Sequence, residues 1–378
     1  MIDQQNRTTV YQDDKDVVRD SNTDVNRKVG AAPALRGGTA TGVGSWPGTD
    51  PREAATTILG ELPELPHLVE LPGRGPGADL IGRMSALLVD MRFDTTTRGY
   101  RLAPRPGALS RRARDLLRAD LDALEEAWET AGSAGSGRPI KLQVAGPLTL
   151  AAQVELPSGH LALTDSGALR DLSESLAEGL VNHVAEVRKR LGAQVLLQLD
   201  EPSLTTVLEG SLNGVSMLDT VRALPEPEAL AVLNTVIATQ SAPVLIHSCA
   251  EPPALAFLRG SAAAAIGFDI TTIGTRDLDT IGEILDSGKH LVLGLVPTTA
   301  APTPPTWRDI AEPGVRLIDR LGFPRTILAS QVLVSPACGL GNASLTWARK
   351  TLSLAAEVAR AYAEDPESLT FEETSGIA

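Results

Sequence analysis

Two side chains with metal-binding and nucleophilic chemistry stand two positions apart in PVLIHSCAE (243–251), His247 and Cys249, in a chain of 378 residues that has five histidines and two cysteines. If the apolar run before them is a strand, an i, i+2 pair projects to the same side. An imidazole and a thiolate sharing one direction make half of a soft, tetrahedral zinc site. The second cysteine, Cys338, lies in VSPACGLG, just past another apolar run, and Asp269 closes AIGFD on a third. Together these four supply two sulfurs, one nitrogen and one carboxylate. The structural alternative is a small buried Cys249 and a satisfied core His247, the commoner situation for either residue taken singly.

Carboxylates and hydroxyls stand at the ends of further apolar runs. LLQLDEPSL places Asp200 and Glu201 after one of them. Asp200 can cap the following helix, or it can anchor the ammonium of an amino-acid substrate. Ser45 in VGSWPGTD offers a hydroxyl and a backbone N–H to a carboxylate, or else belongs to an ordinary turn before a helix starting near Asp50-Pro51. Glu70 closes a short run ending HLVEL.

These residues need a scaffold that brings many strand ends to one place. Eight short apolar runs recur along the chain: 39–46, 67–71, 140–146, 194–200, 243–249, 264–270, 290–296 and 326–334. Between them lie amphipathic stretches with Leu, Ala and Val at helical spacing, such as LSRRARDLLRADLDALEEAWETAG and LRDLSESLAEGLVNHVAEVRKRLG. Near-continuous apolar strands alternating with helices imply parallel pairing buried on both faces. Eight units favour an α/β fold of the single (β/α)8, TIM-barrel type, whose chemistry sits at the C-terminal ends of the strands. An open sheet with miscounted runs is the alternative, but no G-x-G-x-x-G follows the first run, which weighs against a dinucleotide-binding version. Residues 91–110 fit neither period and read as an insertion or hairpin. The expected organisation is a flexible polar tail over 1–38, a barrel domain over 39–365 and a C-terminal tail over 366–378.

Composition narrows the partners. A net charge of −13 argues against nucleic acid, which needs a basic face. No run approaches the roughly 18–20 apolar residues of a membrane span, and the N-terminus has no apolar signal region. The expectation is a cytoplasmic protein that keeps its two cysteines reduced and acts on small molecules. Hydrophobic content of 43% with 3% aromatics predicts an aliphatic core.

Taken in order, these motifs resemble the catalytic C-terminal half of the cobalamin-independent methionine synthase family, whose barrel belongs to a superfamily shared with uroporphyrinogen decarboxylase. The resemblance spans about residues 39–362. GVGSWPGT resembles the family's I-G-S-F-P-x-T, which implies that Ser45 contacts the amino-acid backbone of the substrate. LQVAGPLTL resembles L-T-G-P-V-T, and LQLDEPSL resembles I-Q-I-D-E-P-A, whose aspartate, here Asp200, holds the substrate amino group. IHSC resembles H-M-C and VSPACGL resembles V-N-P-D-C-G-L, implying zinc ligands His247, Cys249 and Cys338. The resemblance thus implies Zn²⁺ as cofactor and transfer of a methyl group to the thiol of homocysteine, giving methionine. The donor would be a methylated folate or a methyl-corrinoid protein.

The sequence also departs from the family. Asp269 stands where the family's glutamate ligand closes V-I-T-I-E, and GLVPTTAAP has threonines where the family has a histidine after the seventh strand. The acid of the family's H-G-E matches loosely, through Glu70 or Asp79. No counterpart of the N-terminal half of the long enzymes is present. The competing readings are a metal-free lyase like uroporphyrinogen decarboxylase, disfavoured because no arginine cluster follows the first run, and a barrel that stores zinc without catalysis.

Overall fold

The computed structural model describes residues 35–214 and 220–371. Its centre is a curled sheet of seven parallel strands flanked by helices. The strands, numbered along the chain with those of a small second sheet, are β1 (Thr39–Ala40), β2 (Phe93–Thr96), β3 (Gly99–Leu102), β4 (Pro139–Ala145), β5 (Val154–Glu155), β6 (Gln194–Asp200), β7 (Val244–Ser248), β8 (Ala265–Asp269), β9 (His290–Val296) and β10 (Val332–Pro336). The large sheet runs β1-β10-β9-β8-β7-β6-β4, every neighbouring pair parallel. The long helices against it include α1 (Pro51–Glu61), α2 (Ala108–Thr130) and, after the short α3 (Pro147–Gln153), α4 (Ser166–Leu191). The α4 boundaries follow from local chemistry: the Asp165 side chain accepts the Ala168 N–H at the start, and Gly192 takes a left-handed φ of 62° at the end.

Three of the eight expected runs behave differently from the rest, the first of them (39–46) forming strand only over Thr39–Ala40. HLVEL (67–71) lies between Pro66 and Pro72 and makes only single bridges, because proline lacks the N–H that a longer ladder requires. Those bridges nevertheless link the two edges of the sheet. Lys141 N–H donates to Pro66 O at 2.8 Å and Leu68 N–H to Lys141 O at 3.0 Å on one side. On the other, Glu70 N–H donates to Gly44 O at 3.2 Å and Trp46 N–H to Glu70 O at 2.8 Å. The run 326–334 is half helix: Thr326–Gln331 forms a helical turn, and the strand begins at Val332. The Gln331 amide is held there by the carbonyls of Leu285 and Lys289, a tertiary contact that overrides the β-pattern.

Side chains of the strands separate by period two. One face gives the large aliphatic core under the helices, including Val195, Leu197, Leu199, Val244, Ile246, Ile266 and Phe268. The other face, inside the curl, has a small apolar floor of Leu65, Leu196, Leu245, Ala265, Val292 and Leu333. Farther along the same face come Gln198, Asp200 and His247, polar and buried. The curl therefore lifts a polar layer above an apolar plug, at the C-terminal ends of the strands.

The segment read as an insertion or hairpin contains an antiparallel pair, β2 with β3, and β3 extends in parallel to β5. Residues 1–34 and 372–378, most of the two expected tails, lie outside the described residues. Next to them, Gly38 N–H donates to Val332 O at 2.8 Å, Leu35 packs on the apolar floor, and Pro366 and Leu369 are buried.

Candidate active site

Parallel pairing of β6 with β7 sets Asp200 directly opposite His247. Their side chains meet at 2.8 Å, Asp200 Oδ1 to His247 Nδ1. The other ring nitrogen, Nε2, is buried and has no protein partner. Burial works against protonation of His247, but the hydrogen bond and charge of Asp200 outweigh it and raise its pKa.

Cys249 follows the last residue of β7 and Cys338 lies two residues beyond β10. Their sulfurs converge to 2.7 Å, both half-buried and unoxidised. The shared hydrogen bond raises the pKa of Cys249, with burial adding to the rise, and lowers that of Cys338, where the charge of His247 assists.

The remaining expected residues occupy defined places. Ser248 pairs with Phe268, so Cys249 and Asp269 each stand one step past that pair, at neighbouring strand ends. Asp269 Oδ1 accepts the Thr271 N–H at 2.9 Å and the Thr271 hydroxyl at 2.7 Å, capping the turn that follows β8. Among the described residues, no three His, Cys, Asp or Glu side chains form a ready-made metal cluster; the donors converge in pairs. Ser45 bridges to Glu70, and its Oγ accepts the Gly341 N–H at 3.2 Å, beside Cys338. Glu70 is buried in an ion pair with Arg83 and accepts the Gln143 amide at 3.1 Å. Burial raises its pKa and Arg83 opposes the rise. Asp79, the looser candidate, is engaged by the Tyr100 hydroxyl and the Gly82 N–H.

Sequence reasoning missed the polar residues within the strand runs. Lys141 is fully buried, with Nζ donating to Val43 O at 3.0 Å and lying 3.4 Å from Gln143 Oε1. Burial lowers its pKa to about 8, against the pull of Asp200 and Glu70. Gln143 also donates to Leu68 O at 2.6 Å, and Gln198 donates to Val43 O at 2.9 Å and to Asp200 Oδ1 at 2.7 Å. The signal was available: Lys141 and Gln143 in IKLQVAG, and Gln198 and Asp200 in VLLQLD, alternate with aliphatics at period two, marking a polar inner face. Glu201, expected in a loop, is fully buried and accepts the Leu148 and Thr149 N–H groups at 3.0 and 2.7 Å. Those contacts favour its charged form, yet burial dominates and brings its pKa to about 7.

What these groups offer is a bare imidazole nitrogen, two converging sulfurs and flanking carboxylates, above an apolar floor. Comparison with known proteins shows what the whole chain is similar to. A family model described as "Cobalamin-independent synthase, Catalytic domain" matches residues 38–361. No curated protein matches the chain. Among solved structures, a B12-independent methionine synthase from Shewanella sp. W3-18-1, in complex with selenomethionine, is similar with a TM-score of 0.57 at 12% identity, over 85% of this chain and 97% of that one. A GH113 β-1,4-mannanase aligns over 88% of this chain and 99% of that one, also at 12% identity, with a TM-score of only 0.40. With the family match running from the start of β1 almost to the end of the last long helix, the chain belongs to the cobalamin-independent synthase family, as a form of its catalytic domain.

Proposed function

We propose that this chain is a zinc-dependent thiol methyltransferase of the methionine synthase type, which transfers a methyl group to the sulfur of homocysteine. The observation that carries the reading is the meeting of Cys249 and Cys338 sulfurs from distant segments, next to a histidine whose Nε2 is buried without a partner. A buried lone pair with no donor is costly, and a nitrogen with two sulfurs suits zinc and would suit magnesium poorly. The residues therefore fit the ion. His247, Cys249 and Cys338 would hold it, with Asp269 at the adjoining strand end as the fourth donor. When bound, zinc lowers the pKa of a coordinated thiol, so that a thiolate is present at neutral pH.

The chain's own residues supply the rest. Ser45 and its neighbouring backbone would receive the carboxylate of the amino-acid substrate, and Asp200 and Glu70 would face its ammonium. Fixing both ends aims the sulfur at the methyl donor, and such placement contributes several kcal/mol. The apolar floor closes the inside of the curl beneath these groups. In this reading the 67–71 segment is the eighth stave of a (β/α)8 barrel spanning 39–365, acting in the cytoplasm on small molecules. No helix among the described residues is long and apolar enough to cross a membrane. The donor would be a methylated folate or a methyl-corrinoid protein.

The test is metal content and transfer measured together. Purified protein should hold about one zinc per chain and form methionine from homocysteine with one of the two donor classes. Protein without bound zinc would return the chain to the metal-free lyase reading, and zinc without transfer to any donor would leave storage.

A further inference from the structure

We propose that Asp200 and Gln198 are positioning residues that fix which nitrogen of His247 faces the metal, an inference that rests on the zinc reading above. The Gln198 side-chain nitrogen has two acceptors, Val43 O at 2.9 Å and Asp200 Oδ1 at 2.7 Å. Only the NH2 end of an amide can serve two acceptors, so this side chain has one usable orientation. Asp200 Oδ1 therefore already accepts one hydrogen, and it meets His247 Nδ1 at 2.8 Å. As a carboxylate it has only lone pairs to offer, so the ring must place its hydrogen on Nδ1. In the neutral ring this leaves the electron pair on Nε2, the atom that is buried and unpartnered.

The chain of contacts ends on the Val43 carbonyl. Val43 O also accepts from Lys141 Nζ, which reaches it from β4, while Gln198 reaches it from β6. Two strands thus converge on one carbonyl, the carbonyl holds Gln198, Gln198 holds Asp200, and Asp200 holds the imidazole. Carboxylates that orient a ligating histidine in this way alter metal affinity without touching the ion. This gives Asp200 a duty beyond the ammonium contact implied by the resemblance, and gives Gln198 one that no motif suggested.

The experiment measures zinc affinity by competition with a chromophoric chelator, together with the visible absorption of the Co²⁺-substituted protein. The proteins are wild type, Asp200→Asn, Gln198→Met, the double variant, and Cys249→Ser as a control. Asp200→Asn should weaken zinc by about 10- to 100-fold, the range for loss of a partner that orients a ligand, and should shift the cobalt bands. Gln198→Met should weaken zinc less, in the same direction. The double variant should be no weaker than Asp200→Asn alone, because Gln198 acts through Asp200. Should Asp200→Asn fail to fold, Gln198→Met carries the test by its affinity and cobalt spectrum.

Zinc held by Asp200→Asn or Gln198→Met as tightly as by wild type would overturn this proposal while leaving the zinc reading standing. Strictly additive losses in the double variant would overturn the role of Gln198. Wild type that binds no more zinc than Cys249→Ser would instead reject the proposed function itself.

Discussion

Ser45 Oγ accepts the backbone N–H of Gly341 across 296 positions of sequence, while Ser45 O accepts the N–H of Leu340 at 3.0 Å. The end of the first strand segment is thereby stitched to the loop that carries Cys338. Gly339 sits against the same hydroxyl: a Cβ there would lie 2.2 Å from Ser45 Oγ. Gly339→Ala should therefore push Ser45 away, destabilise the fold by about 1–3 kcal/mol and weaken metal binding through Cys338. Denaturant unfolding reads the first effect and chelator competition the second. Adding Ser45→Ala should restore part of both, and a double variant no better than the single would show that the clash lies elsewhere.

The two sulfurs are expected to be indispensable to the metal and dispensable to the scaffold. Cys249→Ser and Cys338→Ser should each abolish stoichiometric zinc while the far-ultraviolet circular dichroism stays that of the wild type. Full metal content in either variant would reject the site.

Asp269 has a milder expectation, because its Oδ1 already caps a turn. Asp269→Ala should weaken zinc binding and also cost about 1 kcal/mol from the lost cap. A variant with lowered stability but unaltered zinc affinity would confine Asp269 to capping and direct attention to Glu251, in the loop after β7.

The ion pair between Glu70 and Arg83 is almost closed to solvent, the side chains being 6% and 4% exposed. Removing one partner leaves a buried charge unpaired, so Arg83→Met should cost about 3–5 kcal/mol. The double variant Arg83→Met/Glu70→Gln should recover much of that loss. Equal stability of the two would mean that Glu70 takes up a proton once Arg83 is removed.

Acid should weaken the fold through two buried histidines. Burial pushes the pKa of His67 and of His183 down to about 3, with Lys141 and Arg83 respectively adding to the effect. Both stay neutral in the folded chain, whereas the unfolded chain takes up their protons near pH 6.5. Their contribution to stability is therefore intact above pH 6.5 and declines as pH falls from there toward 3. The slope approaches about 1.4 kcal/mol per pH unit for each histidine. Glu201, with its pKa raised to about 7, takes up a proton in the folded chain over the same range and opposes this loss. The histidine contribution is therefore read by difference. In urea unfolding between pH 7 and 5, His183→Gln should lose less stability on acidification than the wild type, by up to about 1.4 kcal/mol per pH unit.

Much of this molecule could be read from the linear chain. The strand runs and the helices between them follow from hydrophobic period, a local property, and β4, β6, β7, β8 and β9 lie where their apolar runs placed them. The motifs around Ser45, Asp200, His247, Cys249 and Cys338 named the family, since side-chain chemistry and order survive when overall identity does not. Where the pattern misled, a non-local contact was responsible: Gln331 bonds to two distant carbonyls and turns half of an apolar run into helix, and two prolines reduce HLVEL to bridges. Tertiary structure alone decided which atoms meet. The register of β6 on β7 sets Asp200 against His247, the curl of the sheet brings Cys338 to Cys249, and the inward face gathers Lys141, Gln143 and Gln198 around the Val43 carbonyl. A sequence specifies the groups each strand carries, whereas distances between groups far apart along the chain depend on register and curvature, which packing of the whole sheet determines.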